Sequence, residues 1–480
     1  MTRLVDLTIT EAGERLRRGE TSSAELTEAT LERITATEPV VHAYALVLAE
    51  RARQAANQAD RERAAGEDRG PLHGIPVAVK DICYMRGLPN EAGSRAMAGF
   101  VPEYDATVVT KLEAAGAVIV GKTVTHEFAY GVNVPPTRTA WELSCYPGGS
   151  SAGSGVSVTV RSAFGAIGTD TGGSIRIPAA VNGIVGLKPT YGRVSRYGVV
   201  PLGTSLDHVG PLTRTVADCA IILQATAGYD AADGGSVDVP VADYLAGLED
   251  GVAGLTIGVE RPFFFYDGVA PDVRRAVEGV IDTLRERGAK IVEVSLPELE
   301  WTPQVLMTIM APEASTFHRR LVRERRGDYD PETRGSLEMG EFIPATHYLL
   351  AQRARNLFRQ RMRNLFESHG LDALLSPTMP VTTCPQADLW NPRPDYPSEA
   401  PILSVIHHSF SANLVGLPAL SAPCGFSDAG LPIGFQLLGR PFAEQTIFRI
   451  ARAYEREYDW TTMQPDVTSQ ESGVRSQGSL

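Results

Sequence analysis

Apolar positions in TSSAELTEATLERITATEP (21–39) recur at intervals of three and four, behind a Ser/Thr start with acidic residues in the first turn. That spacing predicts an amphipathic helix, closed by its proline. A polar, alanine-rich helix follows in ARQAANQADRERAAG, so residues 1–65 form a helical N-terminal part. The texture then changes. GIPVAVKDICYM (74–85) opens with an apolar strand, and DATVVTKLEAAGAVIVGKT (105–123) reads as helix, glycine stop and strand. Further on, LTIGVE (255–260), DVRRAVEGVIDTLRERG (272–288) and AKIVEVSLP (289–297) make a strand–helix–strand unit. Residues 301–366 are mostly helical in pattern, and 377–401, with seven prolines, is expected to be a long loop. Short strands and turns return over 413–439, FAEQTIFRIARAYEREYDW closes with an amphipathic helix, and 464–480 reads as a polar disordered tail. Alternating strands and helices predict an α/β sheet. There is no internal repeat and no composition break that marks a domain boundary.

Composition narrows the class. A chain of 480 residues with 43% hydrophobic and 21% charged positions has ample core for a soluble globular protein. Its net charge of −12 argues against nucleic acid held mainly by charge, though not against RNA reached through another protein chain. The five cysteines include no CxxC pair, which predicts reduced thiols and neither a disulfide framework nor a zinc site. His407-His408 is a lone adjacent pair without further ligands at metal spacing and reads as structural or surface, so no metal or cofactor is expected. The start lacks the apolar block of a signal peptide, and no apolar run approaches bilayer length; the expected location is the cytoplasm.

The chemistry concentrates in YPGGSSAGSGVS (146–157) and GTDTGGSIRIPAA (168–180). A Gly/Ser run can be a slack linker, but both flanks here look folded. A glycine-rich turn at a strand end can instead aim several backbone N–H groups at one anion. Phosphate is disfavoured, since neither a Walker pattern nor a G-x-G-x-x-G opening a helix occurs. The oxyanion of acyl transfer is the other anion. GSSAG (149–153) matches the G-x-S-x-G elbow of α/β hydrolases around Ser151, with His208 or His407 as conceivable bases. No core strand precedes it, which argues against that arrangement. Lys80 ends an apolar strand: either it pairs with Asp81, or burial lowers its pKa and leaves an amine able to take a proton.

GIPVAVKD, PGGSSAGS and GTDTGGSIRIPAA, in this order and spacing, resemble the amidase signature family of Ser-cisSer-Lys hydrolases. The likeness extends through 115–131, 183–218 and 413–439 and covers roughly residues 5–460. It implies one α/β/α domain over 1–465 built on a mixed central sheet flanked by helices, with the site at one edge beneath a variable 301–412 region that supplies much of the pocket, and a tail at 466–480. Position by position, Ser174 resembles the nucleophile, Ser150 the bridging serine after a cis peptide bond, and Lys80 the base. The amides of Thr171, Gly172, Gly173 and Ser174 would form the oxyanion hole, with Ser151 and Asp170 organising the site. His126 and Tyr130 are implied wall residues, and Gly149 and Ile177 implied substrate contacts. The chain departs from the pattern at Ala152, where the family has Gly, and at Ile82, where it has Asn. A helix is expected after GGSSAGS, although GVSVTVRSAFG alone would read as strand.

The resemblance implies hydrolysis of a small-molecule carboxamide, or of a related aryl ester or carbamate, through an acyl-enzyme. The alternative is the glutaminase component of a tRNA-dependent Asp/Glu amidotransferase, its A subunit, whose corresponding block KPTYGRVSRYGVV resembles. That branch has Gln where this chain has Ile177, and needs an arginine not assignable among those at 319–363. Met307, Met310, Phe317, Phe342 and Ile343 are expected in the core or, for some, in an apolar pocket. The expected partner is the substrate, with no nucleic acid bound directly, no membrane, and a homodimer as the candidate assembly.

Overall fold

A computed structural model describes residues 3–130, 135–391 and 401–467. Its frame is one mixed eleven-stranded sheet: β1 (Tyr44–Val47), β2 (Pro76–Lys80), β3 (Val118–Thr123), β4 (Gly165–Asp170), β5 (Val185–Lys188), β6 (His208–Thr213), β7 (Thr256–Glu260), β8 (Lys290–Val294), β9 (Ala373–Pro377), β10 (Ala419–Phe426) and β11 (Pro432–Gly439). The spatial order is β1-β3-β2-β4-β6-β5-β10-β11-β9-β7-β8. β2 runs parallel to both β3 and β4, and β7 parallel to β8 and β9, while β10 and β11 form an antiparallel hairpin between the two halves. Central strands covered on both faces are buried along their whole length and mostly apolar, and every residue of β2, β3, β4, β6 and β11 is buried, including polar ones at strand ends such as Lys80 and Asp170.

The predicted elements fall close to the observed ones, with instructive exceptions. The first long helix, Ser23–Val41, is fixed at its start by a capping box in which the Ser22 side chain accepts from the Glu25 amide; it passes through Pro39 instead of stopping there. A proline in the last turn removes one amide and leaves the earlier ladder intact. The stretch after GGSSAG is the helix Ala152–Thr159, as the resemblance implies and the β-branched residues do not. Its small residues permit close approach: a Cβ on Gly153 would lie 2.2 Å from the Ala43 carbonyl and 2.5 Å from the Val124 nitrogen. Tertiary packing overrides strand propensity there. The 301–366 region forms three helices, Thr302–Arg325, Pro331–Gly340 and Ala345–Ser368.

Met310 is buried in the main core, but Met307 (41% exposed), Phe317 (46%) and Phe342 (84%) point outward and lie outside it; Phe342 borders a surface cavity with Leu337 and Val322, away from the loops 148–151 and 171–174. Of the proline-rich loop, residues 392–400 lie outside the described residues, as does the tail from 468. Val467, within the expected tail, is buried. No helix among the described residues is long and apolar enough to cross a membrane.

Candidate active site

The site lies at the carboxyl edge of the sheet, where the parallel strands β2 and β4 end, both interior strands. Lys80 is the last residue of β2 and has no solvent exposure. Its Nζ lies 2.8 Å from Ser150 Oγ, 3.0 Å from Ser151 Oγ and 2.9 Å from Thr169 Oγ1. All three neighbours are hydroxyls. Asp81, the partner of an ordinary strand-end lysine, turns away to the buried Lys122 at 2.5 Å. Burial is the first cause of a Lys80 pKa lowered to about 7, since no carboxylate touches the ammonium and the coulombic pull of the more distant Cys83, Asp170 and Asp207 offsets only part of the desolvation.

Ser150 and Ser151 sit on the turn before the helix Ala152–Thr159, and the Gly149–Ser150 peptide bond is cis. Ser151 Oγ donates to the Thr169 carbonyl and accepts from the Thr169 amide, both at 3.2 Å. Its one proton is engaged, so it can only accept from Lys80. The Ser151 amide donates to the Ser174 carbonyl at 3.3 Å, joining the two serine-bearing turns. Ser174 is half-buried, the most open of the three groups named as catalytic.

Asp170, fully buried, organises the turn that carries Ser174. Its carboxylate accepts from the amides of Gly173 (2.7 Å) and Ile175 (3.1 Å), from Arg176 Nε and Nη2 (both 3.1 Å) and from Asn413 Nδ2 (2.9 Å). Burial would raise this carboxyl, but the Arg176 guanidinium and these donors hold it well below the usual range. One sequence expectation changes as a result. The Gly173 amide is committed to Asp170 and cannot also face a substrate oxygen, which leaves Thr171, Gly172 and Ser174 as amides with no acceptor among the described residues. Sequence reasoning could not foresee this, because it depends on which way the Asp170 side chain turns.

The implied wall residues divide. His126 is buried; its amide donates to the Ser150 carbonyl at 3.2 Å, and its ring lies 3.5 Å from Tyr146 OH. A Cβ on Gly149 would meet His126 Nε2 at 2.1 Å, so glycine there is a requirement of close packing. Ile177 packs beside Gly173 and joins Tyr146, Met379, Val381 and Leu389 in a small apolar cluster separate from the main cores. Tyr130 instead faces the helix Pro331–Gly340, where it is hydrogen-bonded with Ser336; burial pushes its phenol up to about 12. Phe410 and Leu306 cover Gly172, within 3.0 Å and 3.8 Å of where a Cβ would stand. On the Thr169 side a cavity of about 270 Å³ is walled by Thr171, Ile82, Ala129, Asp207 and His208. Thr169 lies within the 168–180 motif, and Asp207 and Asn413 within the blocks 183–218 and 413–439, but the sequence assigns none of them a role, and Phe410 lies outside all of these stretches.

The alternative bases do not approach Ser151. His208 Nδ1 lies 3.2 Å from the Asp170 carbonyl, and His407 stacks on Phe263 at 4.6 Å. His408 packs against Phe264 and Tyr266, and no group of three or more metal-ligating side chains occurs among the described residues.

An α/β sheet that presents at one edge a buried lysine, three hydroxyls and amides unpaired among the described residues suits acyl transfer. The amidase family profile matches residues 25–448, and the chain belongs to that family, a class of hydrolases acting on C–N bonds. It is similar to the A subunit of glutamyl-tRNA(Gln) amidotransferase from Geobacter metallireducens, 43% identical over 97% of this chain and all of that one. Among solved structures, the peptide amidase of Stenotrophomonas maltophilia superposes with a TM-score of 0.83 at 33% identity, covering 96% of this chain and 98% of its own. An inhibitor-bound structure bearing on the origins of an s-triazine catabolic enzyme gives a TM-score of 0.88 at 32% identity over 94% of this chain and 98% of that one.

Proposed function

We propose that the chain hydrolyses a carboxamide through an acyl-enzyme on Ser174, with Lys80 as the base and Ser150 as the relay between them. The observation that carries this reading is a lysine without solvent exposure whose three near neighbours are all hydroxyls. A neutral amine has two hydrogens and one lone pair. With N–H bonds to Ser151 and Thr169, its lone pair is left for the Ser150 proton. Ser150 then takes the proton of Ser174 as Ser174 Oγ attacks the carbonyl carbon, and Lys80 becomes an ammonium. The developing oxyanion is met by the amides of Thr171, Gly172 and Ser174. Collapse breaks the C–N bond, and the proton returns from Lys80 through Ser150 to the departing nitrogen. Water repeats the cycle on the ester and releases the acid.

Two substrate readings share this chemistry. The similarity to amidotransferase A subunits over almost the whole chain favours glutamine, with ammonia passed to a partner protein, and supports that reading more strongly than a stand-alone amidase. The walls favour the other. Leu306 and Phe410 lie over Gly172, Ile177 and Tyr146 belong to an apolar cluster, and no arginine between 319 and 363 bonds to the loops 148–151 or 171–174 among the described residues. Among the described residues, none of the arginines at 319–363 offers an α-carboxylate a counter-charge there, whereas an apolar or aryl acyl group has a wall. Carbamate cleavage draws no support from these relatives.

The test is turnover by the purified chain, parent beside Ser174→Ala, on glutamine and on a panel of apolar and aryl amides. Activity lost by at least about a thousandfold in the variant is expected. Turnover of glutamine alone selects the amidotransferase reading, and turnover of the panel alone selects the stand-alone amidase. Equal activity of the variant contradicts both.

A further inference from the structure

We propose that Glu313, on the helix Thr302–Arg325, is a positioning residue for the oxyanion loop 171–174, acting through the loop 202–207. The inference rests on the reading of Ser174 as nucleophile and deepens it.

Glu313 grips one residue of that loop almost completely. Its Oε1 accepts from Ser205 Oγ at 2.7 Å and from Tyr348 OH at 3.0 Å, while Oε2 accepts from the Ser205 amide at 2.9 Å and from Thr204 Oγ1 at 3.4 Å. Arg355, on the helix Ala345–Ser368, holds the same residue from its other side: Nη1 donates to Ser205 Oγ at 2.9 Å and Nη2 to the Ser205 carbonyl at 2.6 Å, while Nε donates to the Leu414 carbonyl at 2.8 Å. Hydrogen bonds to ionised partners are short and directional, so four of them on one residue fix its place.

Two residues further on, Asp207 closes the loop on itself by accepting the amides of Leu202 (2.9 Å) and Gly203 (3.0 Å). The same carboxylate accepts Thr171 Oγ1 at 2.6 Å, and Thr171 carries the first free amide of the oxyanion loop. Gly203 lies between the two anchors: a Cβ there would stand 3.4 Å from Thr171 Cγ2 and 3.6 Å from Glu313 Oε2. The loop 202–207 is therefore a rigid spacer, held by Glu313 at one end and holding Thr171 at the other. Leu306, on the helix that carries Glu313, covers the neighbouring Gly172. The helix whose Leu306 covers Gly172 thus also sets the aim of the oxyanion donors. Such donors act only when preorganised, and a shift of about 1 Å can cost up to a hundredfold in rate.

The test uses an alkyl fluorophosphonate, which needs no knowledge of the substrate. Ser174 Oγ forms the P–O bond, fluoride leaves with the electron pair, the Ser174 proton passes to Ser150 and Lys80, and the phosphoryl oxygen takes the oxyanion position. Glu313→Gln keeps the side chain's size but turns an NH2 toward one of its donors. Its saturating labelling rate is expected to fall about tenfold, with half-saturation within twofold of the parent. Thr171→Val cuts the tether at its other end, and in that background Glu313→Gln should cost nothing more. Ser205→Ala, which keeps the amide bond to Glu313, should show a smaller loss in the same direction and serves if Glu313→Gln fails to fold. Glu324→Gln, an exposed partner of Arg320 on the same helix, should leave the rate unchanged. An unchanged rate in Glu313→Gln, or losses at 313 and 171 that multiply, overturns this inference alone. No labelling of Ser174 in the parent protein overturns the nucleophile reading and this inference with it.

Discussion

Lys80 is where sequence and energetics meet most sharply. An apolar strand that ends in lysine leaves two readings open, and the structure separates them through the neighbours: Asp81 pairs with Lys122, and Lys80 keeps only hydroxyls. This arrangement destabilises the fold in a pH-dependent way. The folded pKa of about 7 lies below the unfolded value of about 10.4, so between these limits the unfolded chain binds more protons and stability rises with pH. The penalty is complete below pH 7 and gone above about 10.4. Lys80→Met should accordingly raise the thermal midpoint, by more at pH 6 than at pH 9.5. An offset of the same size at both pH values would mean that the lysine is not desolvated. Asp170 teaches the complementary lesson. Its place in GTDTGGS was legible, but its hold on the Gly173 amide, which leaves Thr171, Gly172 and Ser174 as the proposed oxyanion donors, depends on a rotamer that no sequence pattern encodes.

At the scale of elements, periodicity carried the strands and long helices and failed where packing outweighs propensity. Helix Ala152–Thr159 exists because Gly153 lets it lie against the Ala43 carbonyl and the Val124 amide, a long-range contact invisible in the local pattern. Gly153→Ala forces a methyl group into backbone atoms that cannot yield. It should destabilise the protein by about 1–3 kcal/mol, as overpacking does, and lower activity because Ser150 and Ser151 lead directly into this helix. Denaturant unfolding beside turnover would check it; parent-like values in both would refute the close-packing account. Met307, Phe317 and Phe342, unlike the buried Met310, went astray for a related reason. Helical spacing indicates which residues share a face, yet not whether a partner covers that face, and Phe342 at 84% exposure has none among the described residues.

For the whole molecule, strand–helix alternation was enough to expect a mixed α/β sheet, and the three motifs were enough to expect the family. The order of eleven strands was not legible, because pairings such as β10 with β5 join segments more than 200 residues apart in the chain. That topology brings Lys80, the 150–151 turn and the 171–174 loop to one edge, with Arg176, Asn413 and Gln436 bonded together beneath them. The substrate is the least legible feature, since it depends on the helical layer and on the apolar cluster around Ile177. The most direct test of the central claim, a neutral lysine activating Ser174, is the pH dependence of kcat/KM for whichever amide the chain turns over. A single rising limb with its midpoint near pH 7 is expected, as Lys80 loses its proton in the free enzyme. A midpoint near the solvated lysine value of about 10.4, or a flat profile from about pH 5 to 10 with chemistry rate-limiting, would contradict it.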